Sequence, residues 1–95
     1  MLEVQTTDVF DDWMDGLDKP VRGRIAARLR KLAGDLWGDC KPVGSGVVEL
    51  REHFGAGYRI YVTKRGQRVV VVLAGGDKSS QQSDIARAVA LAAQL

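Results

Sequence analysis

The sequence is short of nearly every residue that would announce a chemistry by itself. Among 95 residues there is one cysteine, Cys40, and one histidine, His53. A single thiol excludes an intramolecular disulfide, and one thiol plus one imidazole cannot complete a structural zinc site. No metal and no cofactor is therefore expected. No apolar run approaches the roughly 20 residues that a membrane-spanning helix needs. No basic-then-apolar leader opens the chain, where Leu2-Glu3-Val4-Gln5 is already acidic. The expectation is a cytoplasmic protein with no membrane partner, and the length suits one domain, residues 1–95. A Walker-type nucleotide loop is also missing: its first glycine is absent, and Asp77 stands between Gly76 and Lys78.

What is present is unevenly distributed. The formal net charge is only +2, yet residues 1–18 hold Glu3, Asp8, Asp11, Asp12, Asp15 and Asp18 with no base. Residues 19–34 hold Lys19, Arg22, Arg24, Arg28, Arg30 and Lys31 with no acid. Such adjacent blocks can pair internally, or they can leave a basic face for an anionic partner.

Periodicity places the elements. Leu2 to Thr6 reads as a short opening strand, and Thr7 or Asp8 can cap a helix carrying Val9, Phe10, Trp13, Met14 and Leu17. Pro20 suits the first turn of a second helix, with Val21, Ile25, Leu29 and Leu32 on one side and Arg24, Arg28 and Lys31 on another; Gly34 stops it. The stretch DLWGDCKPVGSG, from Asp35 to Gly46, reads as a loop dense in turn residues, with Trp37 either folded back on the core or free to anchor a partner. Three strand signals follow. Val48 and Leu50 alternate with Glu49 and Arg51; Tyr58, Ile60 and Val62 alternate with Arg59 and Tyr61; and Arg68 to Ala74 is apolar on both faces, as a central strand is. A last helix starts near Ser80. The expected order is β-αα-βββ-α, an α+β fold with a largely antiparallel four-stranded sheet and helices packed on one face.

If one face is covered, Glu49, Arg51, Arg59 and Tyr61 project from the other. The valine-rich strand then delivers Gly75-Gly76 to the end of that face. Lys78 and the N–H groups of the next helix follow, next to Arg59. Glycines permit close approach of backbone to a ligand and a helix start favours anions, so this is a candidate phosphate site. The competing reading is an ordinary turn with a serine cap. His53, in EHFGAG, reads as a hairpin-loop residue before it reads as a base, and Cys40 as a packed thiol.

Taken in order after a helical hairpin, KPVGSGVVELR, GYRIYV and VVVVLAGGDKSSQQSDI resemble the RelE/ParE toxin superfamily, and within it the HigB-like, phage-derived addiction-module killer proteins. The resemblance covers nearly the whole chain, from FDDWMDGLD onward. It implies a compact RelE-like fold and a type II toxin that cleaves mRNA on the ribosome and so inhibits translation. It implies too a cognate antitoxin protein as partner, with a possible higher-order complex on operator DNA. A ParE-like branch poisons gyrase from a similar scaffold, and a non-catalytic homologue acting by protein–protein binding is the other alternative.

By position, Arg59 in GYRIY matches the family's arginine at the scissile phosphate, and Lys78 falls where a second cation stands. Attack of a 2′-hydroxyl on its own phosphate builds a dianionic transition state, which two cations stabilise without a metal. RelE also carries lysines on the preceding strand and a tyrosine near its C-terminus. Here that strand offers Glu49 and Arg51, and residues 79–95 hold no Tyr, His or Lys. The acid and base are left to Tyr61 and Glu49 by face, with His53 a distant third. Arg51, Arg24, Arg28, Lys31 and Lys41 complete the expected RNA-binding set.

Overall fold

The computed structural model describes residues 1–95. The apolar strand β5 (Val69–Gly76) is flanked by β4 (Arg59–Arg65) and by the opening strand β1 (Glu3–Thr6). Beyond β4 come β3 (Val47–Arg51) and β2 (Cys40–Gly44), giving one sheet in the order β1-β5-β4-β3-β2. Only β1 runs parallel to its neighbour; every other pairing is antiparallel. The helices are α1 (Asp8–Asp15), α2 (Lys19–Ala33) and α3 (Gln81–Ala93), with a 3₁₀ turn at Lys78–Ser80 before the last. None is long and apolar enough to cross a membrane.

The α+β class and the order of the anticipated elements hold, with two corrections. The sheet has five strands, because β2 forms inside the stretch read as loop. Pro42 is admissible there because β2 is an edge strand, where one missing N–H need not break a ladder. The helices also lie on both faces rather than one. α1 and α2 cover the face of Leu50, Ile60, Val62, Val70 and Val72, contributing Phe10, Ile25 and Leu32. α3 covers the other, where Ala88, Ile85 and Val89 pack against Val47, Tyr61, Val71 and Leu73. Each large side chain so buried contributes on the order of 1.5–3 kcal/mol, and β5 is apolar on both faces because it has cover on both.

A bulge sets the register around the site. Tyr61 pairs with Ala74 while the next residue, Val62, pairs with Val72, so Leu73 is the extra residue. The Thr7 hydroxyl donates to the Leu73 carbonyl at 2.6 Å, and the hydroxyl oxygen accepts from the Phe10 N–H at 3.1 Å. The N-cap of α1 is thereby fastened to the sheet. The glycines that follow do one task on opposite faces. A Cβ on Gly75 would fall within the Trp13 indole, and one on Gly76 would fall on the Asp84 carboxylate. Both glycines make room for the chain's own side chains, one on each face, rather than for a ligand.

Candidate functional site, a cationic end of the sheet

Where β3 ends, β4 begins and β5 ends, Arg51, Arg59 and Gly76 stand side by side in register. Arg59 is 7% exposed. Its Nη1 donates to the carbonyls of Glu52 at 3.3 Å and Tyr58 at 3.1 Å, its Nε is buried with no partner, and it has no ion pair. A guanidinium cannot shed its proton to escape burial, so this charge is held out of water without a counter-ion. An arriving anion would find strong, unspent donors.

Lys78 reaches the same place from the other side. It is exposed and opens the 3₁₀ turn, and its N–H bonds the Ala56 carbonyl at 3.4 Å, which ties the turn to the β3–β4 loop. Gly57 lies between the two cations with φ +75°; a Cβ there would sit 3.3 Å from Lys78 Cβ and 3.8 Å from Arg59 Nη1. Asp77 does not neutralise Lys78. Its carboxylate accepts from the Ser79 N–H at 2.8 Å and the Ser79 hydroxyl at 2.5 Å. Those bonds hold its pKa below the usual carboxylate value.

Tyr61 and Glu49 share the face of Arg59, as alternation requires, but that face is not open. Tyr61 is fully buried and Glu49 is 1% exposed, because α3 lies over them. Glu49 accepts from the Tyr61 hydroxyl at 3.1 Å and from Gln81 Nε2 at 2.9 Å. Arg51 Nε stands 3.5 Å from it, close enough to pair charges though not hydrogen-bonded. Burial, then the Glu49 charge and hydrogen bond, push the Tyr61 phenol far above its ordinary pKa. The pair closes a network between sheet and helix, and neither group meets solvent.

The basic helix divides. Arg28, at 9% exposed, faces inward: Nη1 donates to the Arg51 carbonyl at 2.8 Å and to Glu52 at 3.2 Å, and Nη2 to the carbonyls of Trp37 at 3.0 Å and Asp39 at 2.7 Å. It fastens the loop before β2 to the end of β3, so it is not part of an open basic face. Arg24 is exposed, but its guanidinium carbon sits over Phe54, 4.0 Å from the ring centroid, and Phe54 packs on Tyr58 with centroids 5.3 Å apart. That stack holds the β3–β4 loop to α2. Lys31 on α2 and Lys41 on β2 are exposed and free of ion pairs. Trp37 folds back, packing beside the core while its indole N–H donates to Asp35 at 2.8 Å.

A pairing that periodicity gave no sign of lies at the same end. His53 Nε2 is 2.5 Å from Asp39 Oδ2, joining the β3–β4 loop to the residue before β2. This bond is the largest of the effects that lower the Asp39 pKa.

The arrangement of strands and helices is that of a known fold. The chain superposes with a TM-score of 0.68 on one chain of the crystal structure of the intact E. coli RelBE toxin–antitoxin complex, with 14% identity, over 81% of this chain and 96% of that one. The α+β class with a RelE-like sheet is therefore shown. The chain belongs to the family of phage-derived Gp49-like proteins (DUF891), whose model matches residues 12–95. It is also 39% identical to an uncharacterized protein of Haemophilus influenzae, over 99% of this chain and 96% of that protein.

Proposed function

We propose that this protein is the toxin of a type II toxin–antitoxin pair, HigB-like in kind, and that it cleaves mRNA on the ribosome. The observation that carries the reading is Arg59: a nearly buried guanidinium with no counter-ion, set beside the exposed Lys78 across Gly57. The fold shared with a chain of a toxin–antitoxin complex supports it.

In this reading a phosphate of the RNA backbone takes the place that no carboxylate fills. Arg59 and Lys78 bind its non-bridging oxygens, and their charge counts for more as the neighbouring 2′-oxygen attacks and negative charge gathers on the phosphoryl group. Removing one such preorganised donor typically costs about 10²- to 10³-fold in rate. Arg51 flanks the site, and Lys31, Lys41 and Arg24 extend the positive surface along which RNA lies. Glu49 and Tyr61, the acid and base expected by face, act instead from beneath: they fix Arg51 and the start of α3 without touching RNA.

An antitoxin with acidic side chains and an apolar anchor would silence the protein by covering Arg59 and Lys78. The acid-rich α1 repels such a segment. A second reading, a homologue that binds gyrase or only its antitoxin, draws on the burial of Tyr61 and Glu49, which removes two acid–base candidates from the surface. Primer extension on mRNA after induction, with and without active translation, tests the choice. The nuclease reading predicts new 5′ ends in translated messages only; growth arrest with intact messages would support the binder.

A further inference from the structure

We propose that His53 is the general base of this site and that Asp39 is its positioning residue. The inference rests on the nuclease reading above and names a group that reading leaves open. Arg59 Nη1 donates to the Glu52 carbonyl, whose peptide group leads directly into His53. The loop that carries His53 is thus held to the phosphate-binding arginine itself. The imidazole is 67% exposed, and Asp39 engages only its Nε2. Asp39 is fixed in turn, because its carbonyl accepts from Arg28 Nη2 at 2.7 Å and from the Arg51 N–H at 3.0 Å. In the tautomer that carries its proton on Nε2, His53 donates Nε2–H to the carboxylate and leaves Nδ1, which has no partner in the protein, as the accepting ring nitrogen. A third group holding a base in one orientation is part of the arrangement that nucleophile activation requires.

The step balances without a further reactant. The 2′-oxygen forms a bond to phosphorus as its proton passes to His53 Nδ1. The bond from phosphorus to the 5′-oxygen breaks, its electron pair stays on that oxygen, and water supplies the proton there. The products are a 2′,3′-cyclic phosphate and a 5′-hydroxyl, and the imidazolium returns its proton to solvent. Of the carboxylates and phenols at this end, Tyr61 is sealed under α3, Asp77 is bound to Ser79 and Glu52 is paired with Arg28, so each is already engaged.

The test is single-turnover cleavage of mRNA bound to 70S ribosomes by the wild type, His53→Ala, Asp39→Ala, the double variant and Arg59→Ala. We expect His53→Ala to slow cleavage by about 10² or more, with ribosome affinity and thermal midpoint unchanged. Added imidazole should restore part of the rate to His53→Ala and none to Arg59→Ala. Asp39→Ala should lose less, and nothing further once His53 is gone, since the two act as a unit. Wild-type rates in His53→Ala, or a loss that imidazole does not relieve, would overturn the dyad while cleavage by the wild type kept the nuclease reading standing. Intact RNA with the wild type would overturn both.

Discussion

Arg28 and Arg59 are buried to nearly the same degree, 9% and 7% exposed, and their surroundings are opposite. Arg28 spends its guanidinium on four acceptors, one of them the Glu52 carboxylate. Arg59 has two carbonyls on one nitrogen, a buried Nε with no partner, and no carboxylate. Burial of a cation therefore says little until its bonds are counted. A satisfied buried arginine holds a fold together, and an unsatisfied one at the end of an inner strand keeps donors that an anion could take.

The largest expected effect separates the two by stability. Arg28→Ala frees three carbonyls and the Glu52 carboxylate together, and breaking a buried pair typically costs about 3–5 kcal/mol. Glu52 is 21% exposed and can rehydrate, so about 3 kcal/mol is expected, read as a fall in the urea midpoint. An unchanged midpoint would put Arg28 back among the RNA-binding residues.

Next in size is Gly75→Ala. The added methyl collides with the Trp13 ring, and overpacking of this kind costs about 1–3 kcal/mol. If the variant instead loses cleavage at full stability, Gly75 serves the site and not the packing of α1.

Tyr61→Phe removes one donor from buried Glu49, which keeps Gln81 and the nearby Arg51. A cost of about 1–2 kcal/mol is expected, with cleavage per folded molecule unchanged. A collapse of cleavage at matched stability would restore the phenol to the chemistry.

The smallest effect is on salt dependence. Neutralising Lys31 or Lys41 should lower the slope of log affinity against log salt by roughly 0.7–0.9 for each RNA phosphate that the lysine had neutralised. Arg28→Gln should leave that slope alone, since its side chain faces inward.

The sequence showed what shares a face, and not what lies over it. Tyr58, Ile60 and Val62 alternate cleanly with Arg59 and Tyr61, and the structure keeps them on opposite sides of β4 as the pleat demands. Whether α3 returns over one face or the other is set by chain direction beyond Gly76, which periodicity does not encode. Glu49 and Tyr61, expected in the open, are therefore found sealed. Arg24, Arg28 and Lys31 share a helical side by spacing, yet only the carbonyls of Trp37, Asp39 and Arg51 turn Arg28 inward. β2 is hidden in the sequence because Pro42 and Gly44 read as turn residues, and only its place at the edge of the sheet admits them. The resemblance to toxins pointed to Arg59 and Lys78; the missing counter-ion and the His53–Asp39 pairing needed coordinates.

The central claim is that Arg59 is kept for an incoming phosphate, and Arg59→Gln tests it most directly by removing the charge while keeping a polar side chain. Cleavage of ribosome-bound mRNA and the urea midpoint should be measured on the same preparation. The account predicts a loss of about 10²-fold or more in cleavage, with stability changed by less than about 1 kcal/mol, because the lost hydrogen bonds are offset by relief of an unpaired buried charge. Undiminished cleavage, or a loss that follows a fall in stability as large as that of Arg28→Ala, would contradict it.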